Sequence, residues 1–186
     1  MHVSLDGFVA GPNGEMDWVH MDDEIFDDAI ELESTKDAAI YGRTTYQMME
    51  SYWPTVLENP SSTKNELHHA QWVEDIPKLV FSKTLEEVKW NNTRLICDKV
   101  AEEIKKLKYQ PGKNMMIFGS PGLTHSFMQM DLIDEYRVNI NPVILGSGTP
   151  LFKNLKERIK LTLINEKKFM SGVSGLHYRV SKNGKN

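Results

Sequence analysis

The chain has 186 residues, 40% hydrophobic and 26% charged, which suits one sizeable folded domain with a real core. Its 22 Lys and Arg against 26 Asp and Glu leave a net charge of −4, so it lacks the basic footprint of a nucleic-acid binder. A single cysteine, Cys97, excludes an intrachain disulfide and a Cys-rich zinc site, and no apolar run approaches the roughly 20 residues that span a bilayer. The expectation is a cytoplasmic protein with no metal site, no nucleic-acid partner and no membrane segment. Cys97 follows Leu95 and Ile96 and is expected in the core.

In chain order, residues 3–10 read as a strand, and Gly11-Pro12-Asn13-Gly14 breaks it into a loop. Ile25, Phe26, Ala29 and Ile30 have helical spacing, so residues 23–34 read as an amphipathic helix. Residues 38–41 form a short apolar strand ending at Gly42, and residues 45–52 a helix stopped by Pro54. Residues 58–65 read as a surface loop. Strands follow at 78–82 and 93–97. Asp98 is expected to cap a helix in which Val100, Ile104 and Leu107 share a face. A strand at 114–118, Gly119 and a short helix through Met130 come next. Residues 136–145, 159–169 and 175–181 read as strands with little helix between them, hence antiparallel. Parallel β-α units followed by a β-rich end predict an open mixed sheet with helices on both faces.

In such a sheet ligands bind beyond the C-terminal ends of the strands. Three strand ends carry suitable residues. Gly42-Arg43-Thr44-Thr45 offers a tight turn, a guanidinium and free N–H groups at a helix start, where phosphate is favoured. Gly119-Ser120-Pro121-Gly122-Leu123 is a second strand-to-helix turn of small residues that lets a pyrophosphate approach the backbone. Ser82-Lys83 places a hydroxyl and an ammonium where a ribose 2′-phosphate could sit, which would favour NADPH over NADH. Together the three suit an extended dinucleotide. The loop from Gly11 to Trp18 suits a mobile lid over nicotinamide and substrate. Asp6, Asp17, Asp22, Asp23 and His20 are candidates to supply a proton for hydride transfer. Asp22 and Asp23 also suit a helix cap.

Ser4-Leu5-Asp6-Gly7-Phe8-Val9-Ala10, Trp18, Gly42-Arg43-Thr44-Thr45-Tyr46 and Phe118-Gly119-Ser120-Pro121-Gly122-Leu123 occur in this order. Leu132-Ile133-Asp134-Glu135 and Pro142-Val143-Ile144-Leu145-Gly146-Ser147-Gly148-Thr149-Pro150-Leu151-Phe152 follow. This set, over nearly the whole chain, resembles the riboflavin-biosynthesis reductase C-terminal domain family. The resemblance implies one domain over residues 1–186. Its fold would be the α/β, three-layer fold of dihydrofolate reductase, a mixed, mostly parallel sheet with an antiparallel C-terminal part. It implies NADPH as cofactor, a small heterocyclic substrate (pterin-like or ribosylaminopyrimidine-like) and a homodimer. It puts Gly42, Arg43, Thr44 and Thr45 on the phosphate side, Ser82 and Lys83 at the 2′-phosphate, and Gly119 to Thr124 at the pyrophosphate. Val3 would border the nicotinamide, Trp18 would close over it, and Asp23, five residues after Trp18, would be the acid, with Asp6 as the other catalytic candidate. The His-x-Glu and Pro-Cys-x-x-Cys zinc pattern of the family's deaminase partner does not occur in the chain. His20-Met21-Asp22-Asp23-Glu24 is acidic where those enzymes hold a ribose phosphate, and Phe118 stands where they tend to have an acid. The alternative is a non-catalytic nucleotide- or flavin-binding module of the same fold. In the segment 142–152, Gly146 and Gly148 are expected to make a bulge or turn, and Leu151 and Phe152 to pack in the core.

Overall fold

A computed structural model describes residues 1–181. Its elements are β1 (His2–Ser4), β2 (Phe8–Ala10), α1 (Asp23–Glu33), β3 (Lys36–Gly42), α2 (Arg43–Glu58), α3 (Lys64–Asp75), β4 (Lys78–Phe81) and β5 (Thr93–Ile96), followed by α4 (Val100–Lys108), β6 (Asn114–Ile117), α5 (Pro121–Gln129), β7 (Glu135–Asn141), β8 (Thr149–Pro150), β9 (Leu161–Lys168) and β10 (Ser174–Val180). Among the described residues, no helix is long and apolar enough to cross a membrane. The described chain forms two compact units, residues 1–22 with 124–181, and residues 23–123.

The second unit is built on a four-stranded, wholly parallel sheet in the order β5-β4-β3-β6. Its central strands are continuous apolar runs, as two-sided burial demands: Ala39, Ile40 and Tyr41 in β3, and Leu79, Val80 and Phe81 in β4, are all buried. Tyr46 of α2, Val73 of α3 and Trp90 close the same core. Helix α1 buries only Ile25 and Glu33. Oε1 of Glu33 accepts from Nδ1 of His69 on α3, and the His69 ring lies edge-on to Trp53 at 4.3 Å. Lys78 is also fully buried. Its Nζ donates to the carbonyls of Glu74 and Ile76 and lies 4.7 Å from the Trp90 ring centre. Desolvation pushes its pKa down to about 8.

In the first unit the sheet order is β1-β7-β10-β9, with β1 parallel to β7 and the other pairs antiparallel. A two-stranded ladder joins β2 to β8. Val3, Val9 and Leu151 form a small core beneath Val138 and Ile140.

Several elements differ from the sequence reading. Residues 3–10 make two strands, because Gly7 takes φ +87° and turns the chain between them. Helix α2 continues through Pro54 to Glu58. Trp53 packs against the core and Val56 is buried beyond the proline, so burial offsets the lost backbone bond. Residues 64–75, of which 64 and 65 fell in the expected loop, form α3. Its start is a capping box in which Thr63 Oγ1 accepts from the Glu66 N–H and the Glu66 carboxylate accepts from the Thr63 N–H. Asp98 does not cap α4, whose N-cap residue is Lys99 in the left-handed conformation. Cys97 is exposed rather than in the core, since β5 ends at the buried Ile96. Phe152 is about half exposed, whereas Leu151 is buried.

Candidate functional site

In the parallel sheet β3 lies at the centre. The chain leaves it through α2 and α3 to reach β4 and then β5 on one side, and returns through α4 to β6 on the other. The direction of winding therefore reverses between β3 and β6, and a crevice opens beyond the strand ends at such a point. Gly42 to Thr45 follow β3, Ser82 to Thr84 follow β4, and Phe118 to Leu123 follow β6. The three turns singled out in the sequence thus lie at the C-terminal ends of three adjacent strands.

Hydrogen bonds tie the first and third turns together. Gly119 and Ser120 both have φ +52°, which reverses the chain after β6. The Ser120 N–H donates to Thr45 Oγ1 at 3.0 Å. Ser120 Oγ accepts from the Gly42 N–H at 2.9 Å and donates to the Phe118 carbonyl at 2.9 Å. Both side chains are buried. A Cβ on Gly119 would come within 3.2 Å of Thr45 Cγ2, so both its φ and its close approach to Thr45 favour glycine there. Thr45 and Ser120 therefore staple the two turns, and their hydroxyls are engaged in doing so.

The outward-facing groups are different ones. Arg43 and Thr44 are exposed. Helix α2 has no side-chain cap, because Gly42 has none to offer, and its first-turn N–H groups carry the positive end of the helix dipole. Gly122, in the first turn of α5, is exposed with open space where a Cβ would project. After β4, Ser82 Oγ accepts from the N–H groups of Thr84 at 3.2 Å and Leu85 at 3.0 Å, so its lone pairs build the turn. Thr84 Oγ1 accepts from Arg43 Nη1 at 2.9 Å, which links the second turn to the first. Lys83 is exposed. Two cations, an uncapped helix start and a glycine surface make a donor set that fits the phosphates of a dinucleotide.

The remaining candidates are placed as follows. Asp23 is exposed in the first turn of α1. In the first unit, Val3 is buried in β1 and Thr124 is buried in α5. Asp6 accepts from Ser4 Oγ at 2.7 Å and from the N–H groups of Leu145 and Gly146 at 3.1 and 2.8 Å. The Ser4 hydroxyl, then these N–H groups, hold its pKa below the ordinary carboxylate value, the direction opposite to that of a proton donor near neutrality. Trp18 is half-buried, and its Nε1 donates to the Glu15 carbonyl at 3.0 Å. The same carbonyl accepts from the Gly11 N–H. The Glu15 carboxylate accepts from the N–H and Nδ2 of Asn13, so the loop is folded around Glu15. The His20 N–H donates to Oδ1 of the fully buried Asn141. Sequence reasoning passed over Thr84, although a hydroxyl two residues after Ser82 at a strand end was a signal.

The fold is the reductase-like α/β fold of dihydrofolate reductase. Over 97% of this chain and 94% of the other, it superimposes on dihydrofolate reductase of Enterococcus faecalis, complexed with NADP(H) and RAB-propyl, with TM-score 0.56 at 14% identity. A protein of Shewanella sp. PV-4, provisionally named for riboflavin biosynthesis, superimposes with TM-score 0.75 at 24% identity, over 98% of this chain and 97% of that one. Residues 1–174 match the model of the RibD C-terminal domain, and the chain belongs to that family. Protein YyaP of Bacillus subtilis (strain 168) is 38% identical over 179 residues, 95% of this chain and 90% of the relative.

Proposed function

We propose that this protein is an NADPH-dependent reductase of a small heterocycle, pterin-like or pyrimidine-like. One observation carries the reading: the turns after β3, β4 and β6 are joined by the Ser120 and Arg43 hydrogen bonds into a single edge that presents Arg43, Lys83, the α2 N-terminus and Gly122. Family membership and the shared reductase-like fold support it. When bound, NADPH supplies a hydride from its nicotinamide. Arg43 and Lys83 hold the phosphorylated ribose, and the first turn of α2 with the Gly119–Gly122 backbone holds the pyrophosphate. Thr45, Ser120 and Ser82 support these groups from beneath. Positioning of the two reactants accounts for most of the rate, and Asp23, or water oriented by it, delivers the proton. Asp6 is reassigned from proton donor to loop organiser, because its carboxylate is already bonded on both oxygens.

The test is calorimetric titration with NADPH and NADH, followed by a screen for NADPH oxidation with pterin, pyrimidine and quinone substrates. Arg43→Ala should weaken NADPH binding by about 1–3 kcal/mol, the value of a hydrogen bond to a charged group. Unchanged affinity would remove Arg43 from the site. Binding without oxidation of any substrate would make the protein a nucleotide-binding module. The proposal includes a homodimer, supported by exposed Leu161, Leu163 and Ile164 on the edge strand β9. A monomer mass in sedimentation at micromolar concentration would remove that part.

A further inference from the structure

The Arg43 guanidinium is exposed, and an exposed arginine samples many rotamers. Here one contact selects among them: Nη1 donates to Thr84 Oγ1 at 2.9 Å, from the start of α2 to the turn beyond β4. Thr84 is itself placed. Its N–H donates to Ser82 Oγ, as does the next N–H, so residues 82–85 form a closed turn with the Thr84 hydroxyl on its rim. Ser82 follows Phe81, which is paired directly with Gly42 across the parallel ladder. The turn that carries Thr84 and the turn that carries Arg43 are therefore held in register by the sheet.

We propose that Thr84 is a positioning residue that pre-orients the Arg43 guanidinium, so that the site discriminates the phosphorylated dinucleotide from the unphosphorylated one. This rests on the NADPH reading above. An arginine held by one neutral acceptor keeps its charge and four further N–H donors for an incoming phosphate. Ordering it before binding removes that entropy cost from the binding step. The hydroxyl acts only through Arg43, so its loss touches only ligands that Arg43 reads. The same contacts make Ser82 the builder of the turn that carries Thr84.

The experiment is calorimetry with NADPH and NADH on the full chain and on Thr84→Val, Thr84→Ser and Arg43→Ala. Thr84→Val removes the acceptor while keeping the shape of an exposed side chain. It should weaken NADPH roughly three- to tenfold, the worth of ordering one long side chain, leave NADH unchanged, and be rescued by Thr84→Ser. Arg43→Ala should weaken NADPH further, and Thr84→Val on that background should then add nothing. The inference is overturned if Thr84→Val binds NADPH as the parent does, or loses NADPH and NADH equally, which would mark a merely structural turn. If the parent chain binds neither nucleotide, the NADPH reading falls and takes this with it. If the parent prefers NADPH and only Thr84→Val is silent, this inference alone falls.

Discussion

The two sheets solve the same problem of placing polar groups at strand ends in opposite ways. In the parallel sheet β5-β4-β3-β6 every strand points the same way, so the turns after β3, β4 and β6 collect on one edge. Residues 40 to 80 positions apart in sequence then bond to one another, as Ser120 does with Gly42 and Thr45, and Arg43 with Thr84. In the mixed sheet β1-β7-β10-β9 strand directions alternate after the first pair, and strand ends are shared between both edges. There the polar groups act as clamps on loops: Asp6 on residues 145 and 146, and Asn141 on His20. A parallel edge thus gathers polar groups from distant turns at one place, whereas the mixed sheet uses its carboxylates and amides to clamp loops.

The contrast can be tested by breaking each side. The largest expected effect is in the parallel unit. His69→Ala leaves the buried Glu33 with no hydrogen bond to either oxygen, since Oε2 has only the His68 ring at 3.9 Å, beyond hydrogen-bond distance. A cost of about 3–5 kcal/mol is expected, read as a lower urea midpoint at unchanged slope. In the mixed unit, Gly148→Ala would put a Cβ 2.1 Å from the Ala10 carbonyl oxygen. The β2–β8 ladder must then give way, and about 2–4 kcal/mol should be lost in the same measurement. Thr45→Val is a finer probe, because it leaves the buried Ser120 N–H without its acceptor. It should cost about 1–3 kcal/mol and also weaken nucleotide binding, because the staple beneath the turn is cut.

The smallest effect is that of pH at Asp6. Its pKa is lower in the folded chain than in the unfolded one. Its contribution is therefore complete above the unfolded value of about 3.9 and is lost as pH falls through the folded value. Urea midpoints between pH 5 and 2, taken for the parent and for Asp6→Asn, should converge toward the acid end. Parallel curves would mean that the clamp has no energetic role.

Much of the parallel unit was legible in the sequence because its strands are short apolar runs bounded by glycine and charge. The strands read at residues 38–41, 78–82 and 114–118 announced themselves in this way, and the turns after them carried the phosphate-binding residue types. What could not be read was which of those residues face outward. Thr44 and Thr45 are equivalent in sequence, yet one is exposed and the other buried under Ser120. Ser82 and Thr84 are both hydroxyls in one turn, yet one builds the turn and the other holds Arg43. The Thr63–Glu66 capping box was visible as Thr-x-x-Glu, and reading it would have recovered the start of α3. The Glu33–His69 pair had no local signal at all, because the partners are brought together only by the packing of α1 on α3.

From the sequence alone follow the α/β class and the place of each candidate turn at a strand end. These depend on periodicity, on turn stereochemistry and on charge, all of which are local. Only the tertiary structure decided that α2 outlasts Pro54, that Cys97 and Phe152 are exposed, that Asp6 is bonded through both carboxylate oxygens, and that Arg43 donates to Thr84. Each of these depends on what an element meets across space, where burial and long-range hydrogen bonds outweigh local preference.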